Sequence, residues 1–569
     1  MTAPQLSASD RPARLWRGGA LAVGAVVLAP LAAIIWVALL PGENIWPHLV
    51  ATVLPRYIEN TAILMVGIGA VVLVVGVGTA WLVAVCRFPG RALFEWALLL
   101  PLAAPAYIVA FVYTELLEYA GPLQRALREV FGWSGATDYW FPEIRSQGGA
   151  IFVMSMVLYP YVYLLARAAF LEQSTGALEA ARTLGRGPWR SFLVVALPMA
   201  RPAIAAGLAL ALMETLADFG TVDFFAINTL SRGIFNVWLN MGNIGGGAQL
   251  ALVMLGVVVV LLWLERHGRR HRRFHRTGTR MPPPIAWTLR GPAAAAAMTA
   301  CLLPVALGFV VPAIVLVDNA IRYFDIAWTA DFGAHARNSL LLAAGAAIVT
   351  VAVAAFLAWA GRVARSPTVH WAARTASLGY AIPGAVLAIG VLVPFAAFDN
   401  AVDALARDVL GVSTGLLLSG TVFALLFAYV VRFLAVAYGA LETSLGRIPP
   451  SLDMAARTLG QGPGGSFLRI HLPLMRTSVL AAATIVFVDT IKELPATLIL
   501  RPFNFDTLAT AVYQNASLER LEHASLASLA IVAAGVVPVV LLSRAITRTR
   551  AATPVTEPVM AATLPVGPF

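Results

Sequence analysis

Lysine is almost missing from this chain: of 40 basic residues, 39 are arginine and one is Lys492. A phosphate-binding loop of the Walker A type needs a lysine followed by serine or threonine, and Lys492 is followed by Glu493. An ATP-driven function must therefore take its nucleotide site from another polypeptide. Cysteine is scarce too, and Cys86 and Cys301 both lie inside apolar runs. That excludes a disulfide scaffold and reads as two small core side chains. Charge of either sign is thin. Only 12% of the 569 residues are Asp, Glu, Lys or Arg, against about 25% in soluble domains. With 59% hydrophobic residues and a mean hydropathy of +0.80, too few charges remain to coat a water-exposed surface. The composition specifies a polytopic membrane protein and excludes disorder and collagen.

What is present is a series of long apolar runs. Windows of about 19 residues, enough to cross a core of about 30 Å, give twelve candidates in two sets of six. The first set lies near 19–40, 61–86, 92–116, 149–170, 200–221 and 248–265. The second lies near 293–317, 338–361, 374–398, 414–437, 477–500 and 523–543. The runs lack the alternation of barrel strands, so the expected fold is all-α. The first run follows Arg11, Arg14 and Arg17 but is too long for a signal sequence, and it reads as a retained helix. Pro105, Pro160 and Pro383 fall within runs and are expected to kink them.

The net charge of +11 would suggest nucleic acid in a soluble protein. Its placement excludes that partner and sets the topology instead. With the N-terminus inside, the cytoplasmic segments hold 27 arginines and the outer loops 10, the bias expected for both termini in the cytoplasm. In this count Arg167 and Arg432 end helices running inward.

The two halves repeat. EAARTLGRGPWRSFLVVALPM, from Glu179, aligns with MAARTLGQGPGGSFLRIHLPLM, from Met454; AARTLG recurs at Ala180 and Ala455, and Leu197-Pro198 recurs as Leu472-Pro473. The offset of 275 also pairs Glu214 with Asp489 and Asp218 with Glu493. Asn60 pairs with Asn338, and Pro105 with Pro383, at 278. Six helices per repeat in one orientation imply a pseudo-twofold axis along the membrane normal. The chain divides into a first membrane domain at 1–265 with the motif loop at 178–199, a basic linker at 266–292, a second domain at 293–546 with the loop at 452–474, and a tail at 547–569.

The stretch from Leu178 to Arg182 favours a short helix stopped at Gly185. Exposed twice on the cytoplasmic side, such a helix suits either a groove on a partner or the membrane surface. The pattern of Glu-Ala-Ala, then Gly, then Leu-Pro resembles the cytoplasmic loop of permease subunits of binding-protein-dependent ABC importers, and its duplication resembles a fused permease. That resemblance implies that Glu179, Ala180, Ala181 and Gly185, with Asp453, Ala455, Ala456 and Gly460, seat two copies of an ATPase subunit. ATP and magnesium would stay on the ATPase, and this chain would be a transport subunit with no catalytic residues and no cofactor of its own. Met454 stands where the second copy should carry glutamate, which puts an equal grip on the two ATPases in doubt.

The stretches METLADFGTVDFFAINTLSRGIF, from Met213, and DTIKELPATLILRPFNFDTLATAVY, from Asp489, resemble ferric iron permeases. This implies an inner-membrane subunit of a bacterial ferric importer, supplied by a periplasmic ferric-binding protein. Permeases for thiamine, phosphonate or polyamine are the alternatives within the class, and an ion-coupled secondary transporter is the alternative outside it.

Charged groups inside spans are costly and by default face a cavity or a partner. Glu214 and Asp218, like Asp489 and Glu493, are four residues apart, which on a continuous helix puts both carboxylates on one face. They are candidates for the translocation path, as hard oxygen groups suited to a ferric cargo, or for helix caps and partners of Lys492 near an outer gate. No stable metal site is expected. His267, His271 and His275 recur every four residues, but seven arginines between Arg266 and Arg280 would repel a cation and suit anionic lipid heads.

Overall fold

The computed structural model describes residues 10–40, 42–172, 183, 188–270, 287–364 and 366–551. The first copy of the cytoplasmic motif, with Glu179, Ala180, Ala181 and Gly185, lies outside the described residues, as do His271, His275, the side chain of His267 and the tail beyond 551.

The first half contains α1 (Asp10–Leu39), α2 (Leu54–Val85), α3 (Ala106–Leu117), α4 (Gln147–Glu172), α5 (Leu197–Ala217), the short α6 (Gly220–Phe224) and α7 (Ile244–Arg270). The second opens with α8 (Pro292–Val305), which runs through a π turn into α9 (Val311–Arg322). It continues with α10 (Ala330–Ala364), α11 (Gly384–Leu410), α12 (Val422–Gly446), α13 (Pro450–Thr458), α14 (Arg476–Ile491), α15 (Pro495–Leu500) and α16 (Leu521–Ala551). Among the described residues ten helices are long and apolar enough to cross a membrane, or twelve if two bent pairs each count as one span. The all-α expectation holds; among the described residues the sheet is one parallel pair, β1 (Cys86–Arg87) with β2 (Trp287–Thr288), which ties the start of the second half to the first half's loop.

The repeat is visible down to single hydrogen bonds. Asn60 donates to the Asn228 carbonyl at 2.9 Å, and Asn338 to the Asp506 carbonyl at 3.0 Å. One residue on, Thr61 Oγ1 accepts from the Leu230 amide at 3.1 Å and Ser339 Oγ from the Leu508 amide at 2.8 Å. All four groups are related by the offset of 278 first read at Asn60 and Asn338.

Each half sends its first helix to the other. α1 packs on α10 and α11 of the second half, while α8 touches α2, and the π turn with α9 touches α4 and α3 of the first. Gly390 permits this crossing on one side, since a Cβ there would lie 2.5 Å from the Pro30 carbonyl oxygen. Gly308 does so on the other, 2.4 Å from the Met156 oxygen. Ala20, Val27 and Ile34 of α1 are buried in the core around α10 to α12, whereas Ala294, Ala297 and Cys301 are buried with α2 and α4. Burial of that apolar surface at about 25 cal/mol per Å² holds helices together only where water is the alternative; against lipid, close packing carries the contact, hence the glycines.

Four expected spans are not continuous helices. The third breaks at Ala104 and Pro105, with a 91° bend between 91–103 and 106–131. A residue before proline is driven out of the helical region, and Ala104 is extended at φ −99°, ψ 123°. The ninth breaks in the same way at Ile382 and Pro383. These two prolines end helices where a kink was expected, whereas Pro160 stays inside α4. α5 stops at Ala217 with Asp218 extended, and α14 stops at Ile491. The tenth span, expected at 414–437, runs over 422–446, because Asp399 and Asp403 accept backbone amides from Leu418, Ser419 and Thr414 and hold 411–421 in turns.

Candidate functional site

The four helix breaks converge. Asp218 and Glu493 follow the broken ends of α5 and α14, and Tyr107 and Tyr380 flank the proline breaks. With Glu214, Asp489, Lys492, Tyr161 and Arg432 they line one cavity of about 130 Å³, bounded by both halves. That space holds a few waters or one hydrated ion and is too small for a drug-sized solute. Four carboxylates face two cations there, a formal charge of −2.

The pairs within the cavity are unequal. Lys492 Nζ lies 2.8 Å from Asp489 Oδ1, three residues away on its own half. Arg432 Nε lies 3.5 Å from Glu493 Oε2. Across the halves, the Tyr380 hydroxyl donates to Glu214 Oε1 at 3.1 Å. The Tyr107 hydroxyl is buried with no hydrogen-bond partner among the described residues.

α5 and α14 end just before Asp218 and Glu493, so the second carboxylate of each pair stands at or past its helix end. Asp218 accepts from the Thr221 amide at 3.0 Å and the Val222 amide at 3.2 Å, capping α6; Glu493 accepts from the Ala496 amide at 3.0 Å at the start of α15. An acceptor at a helix N-terminus satisfies amides that have no partner in the helix. Asp218 and Glu493 therefore serve as caps that also border the cavity, while Glu214 and Asp489 sit on helices just before the breaks.

Sequence reasoning missed Arg432, Tyr107, Tyr161 and Tyr380. Arg432 had been placed at a helix end, but α12 begins at Val422, so the guanidinium lies mid-helix and only 8% exposed. The rule that singled out the carboxylates, a charge inside an apolar run, also applies to Arg432. The tyrosines carried no such signal; two of them come from proline breaks that periodicity does not reveal. Arg167 is likewise buried inside α4, its Nη2 3.2 Å from Glu95 Oε1.

At the other end, the second motif copy forms α13, from Pro450 to Thr458. Ala456 is buried against the bundle, whereas Met454, Ala455 and Leu459 are exposed. Gly460 follows at φ +75°, a left-handed conformation that glycine adopts without the steric cost other residues bear. Asp453 Oδ2 accepts from Arg362 Nε at 2.8 Å, and its Oδ1 lies 2.7 Å from His471 Nε2 without hydrogen-bond geometry.

Swapped first helices around an acidic cavity, with a helical motif exposed at the other end, fit a transport subunit of the membrane. Residues 20–273 match the family described as the inner membrane component of binding-protein-dependent transport systems, and the chain belongs to that family. It is similar to the Fe(3+)-transport system permease protein FbpB 2 of Haemophilus influenzae, 27% identical over 86% of this chain and 90% of the relative. The molybdenum transport system permease protein ModB of Escherichia coli is 28% identical over 34% of this chain and 86% of its own length. The sulfate transport system permease protein CysT of Escherichia coli is 30% identical over 35% of this chain and 72% of its own. The protein is thus a multi-pass permease component of the inner membrane, working with a binding protein and an ATPase.

Proposed function

We propose that this chain is the fused permease of a ferric iron importer, forming both halves of the path, with both termini in the cytoplasm. It receives cargo from a periplasmic ferric-binding protein and rests on two copies of an ATPase that holds the only nucleotide sites. The observation that carries the reading is the cavity between the halves: with formal charge −2 and carboxylate and phenol oxygens around it, it attracts cations and suits a hard metal ion. The same cavity would repel an anion such as sulfate, the cargo named for one of the shorter relatives. Similarity along both halves to a permease named for Fe(3+) points the same way.

Closure of the ATPase dimer would press on the two motif helices and rock the halves about the shared cavity. Tyr380 and Glu214, one of the hydrogen bonds that span the halves, would part as the cavity opens. The test is uptake of labelled ferric iron by cells lacking the gene, with and without a plasmid copy, beside labelled molybdate, sulfate and thiamine. Restored, energy-dependent iron uptake is the expected result; loss of another solute with iron uptake unchanged would end the ferric assignment.

A further inference from the structure

A second bond joins the halves one layer beyond the cavity. In the proposed topology the segments that follow α5 and α14 lie on the outer side, and each folds into a turn and a short helix, Leu230–Phe235 in the first half and Leu508–Ser517 in the second. They match at the offset of 278. Thr229 and Thr507 both cap their helices, and Ala226 and Asn504 both take a left-handed backbone, at φ +55° and +60°. Phe219, a residue of the cavity wall, leads to this layer: its ring stacks on Phe235 with centroids 3.7 Å apart and lies 5.7 Å from the ring of Tyr513.

The polar contacts beyond Phe219 form one chain. The Tyr513 hydroxyl donates to Asp223 Oδ2 at 2.5 Å, and Arg232 Nε donates to Asp223 Oδ1 at 2.8 Å. The carboxylate therefore faces its own half with one oxygen and the second half with the other. Arg232 Nη1 donates to Asn228 Oδ1 at 2.9 Å, and the Asn228 carbonyl accepts from Asn60 of α2. Ser231 Oγ donates to the Asp218 carbonyl at 2.7 Å, which fixes the same helix to the end of α5. Asp223 and Arg232 are partly exposed, whereas Phe219 beneath them is buried. By residue type this bond between the halves runs in one direction. At the offset of 278, Tyr513 answers to Phe235, which has no hydroxyl to donate, and Asp223 answers to Arg501, which has no side-chain oxygen to accept. Arg501 pairs instead with Asp506 of its own segment, which also accepts from Thr510 Oγ1 at 2.9 Å.

We infer that Tyr513 and Asp223, with Arg232 holding the carboxylate in place, are the latch that keeps the cavity closed on its outer side, a single latch where the pseudo-twofold axis would place two. The inference rests on the importer reading above, which sets the outer face. While the bond is made, Phe219 of the first half and Tyr513 of the second stay in contact, and their rings fill the way in. When the halves part, the bond breaks and the cavity opens to cargo. The hydrogen bond to a charged group thus adds to the closed state alone, and its loss shifts the balance toward the open one.

The test uses the complete complex in right-side-out membrane vesicles, with Cys86→Ala and Cys301→Ala removing the two native thiols and Ala217→Cys as a reporter in the cavity wall. A membrane-impermeant methanethiosulfonate is added outside, and the reaction rate of the reporter is followed. Without nucleotide the reporter reacts slowly. Tyr513→Phe, which keeps the ring on Phe219 and removes only the hydroxyl, raises the rate about ten-fold, the scale of one hydrogen bond to a charged group. Asp223→Ala raises it as well, and adding Tyr513→Phe to Asp223→Ala changes it less than two-fold further, because the bond is already gone. Co-purified ATPase at the native ratio checks assembly. A rate in Tyr513→Phe within two-fold of the native one overturns the latch. Effects that multiply in the double variant, as a general loosening would give, overturn it too. With a non-hydrolysable ATP analogue loaded inside and the binding protein outside, the native latch opens and the reporter reacts at least as fast as in Tyr513→Phe without nucleotide. A native complex unmoved by both additions overturns the importer reading instead, while the double-variant comparison still decides the latch.

Discussion

Replacing Glu214 by glutamine is the sharpest perturbation of the cavity. Glutamine keeps the length of the side chain and an oxygen to accept the Tyr380 hydroxyl, now 3.1 Å from Glu214 Oε1. The helix remains intact, because Glu214 lies within α5 and caps nothing through its carboxylate. What changes is the charge of the cavity, from a formal −2 to −1. Two unit charges about 4 Å apart interact by about 1 kcal/mol even with the screening of bulk water, and by more in a partly dry cavity. For a trivalent ion that is about 3 kcal/mol, or about 150-fold in occupancy at 1.4 kcal/mol per decade. Water held between ion and carboxylate reduces the effect, so uptake at subsaturating cargo should fall about 10- to 100-fold. The assay is initial uptake of labelled iron at a fixed amount of binding protein, with co-purified ATPase as the check on assembly. Uptake within two-fold of the native rate, in a correctly assembled complex, would refute the reasoning that this carboxylate attracts the cargo.

Three further outcomes follow from single contacts. Asn60→Ala and Asn338→Ala each remove a side-chain bond to a loop carbonyl in equivalent places, and Asn60→Ala also removes the oxygen that accepts from Gln147 at 2.6 Å. At about 1 kcal/mol per bond, both should lower the melting temperature in detergent, Asn60→Ala the more. Gly460→Ala forces a left-handed conformation on a residue with a Cβ, a cost of about 1–2 kcal/mol, and should weaken ATPase co-purification while leaving membrane insertion unchanged. Cys86 and Cys301 are free and buried, 3% and 0% exposed. A water-soluble maleimide should label neither in the native protein and both after denaturation.

The class of fold was legible because it depends on composition and run length, which the membrane reads directly. The repeat was legible because the two halves kept AARTLG, Leu-Pro and the carboxylate positions in register. What periodicity could not give was where the runs break. Hydropathy averages over about 19 residues, whereas the breaks at Pro105, Pro383, Asp218 and Lys492 are decided by one or two residues and by caps reaching forward to Thr221 and Ala496. The carboxylates were identified individually, and helix caps were among the roles expected of them. The cations and tyrosines opposite them come from separate elements and meet only when the chain folds. Asp453 shows the same limit at the cytoplasmic end: sequence alignment puts it in the motif, but only folding turns it toward Arg362 and His471.

The central claim is that the acidic cavity passes a ferric cargo from one side of the membrane to the other. Its most direct test is ATP-dependent accumulation in proteoliposomes containing this chain and its ATPase, with labelled ferric iron on the binding protein outside and labelled molybdate in a parallel preparation. The account predicts iron accumulation that stops without ATP and none of molybdate above leak. Accumulation of molybdate with iron left outside would contradict it.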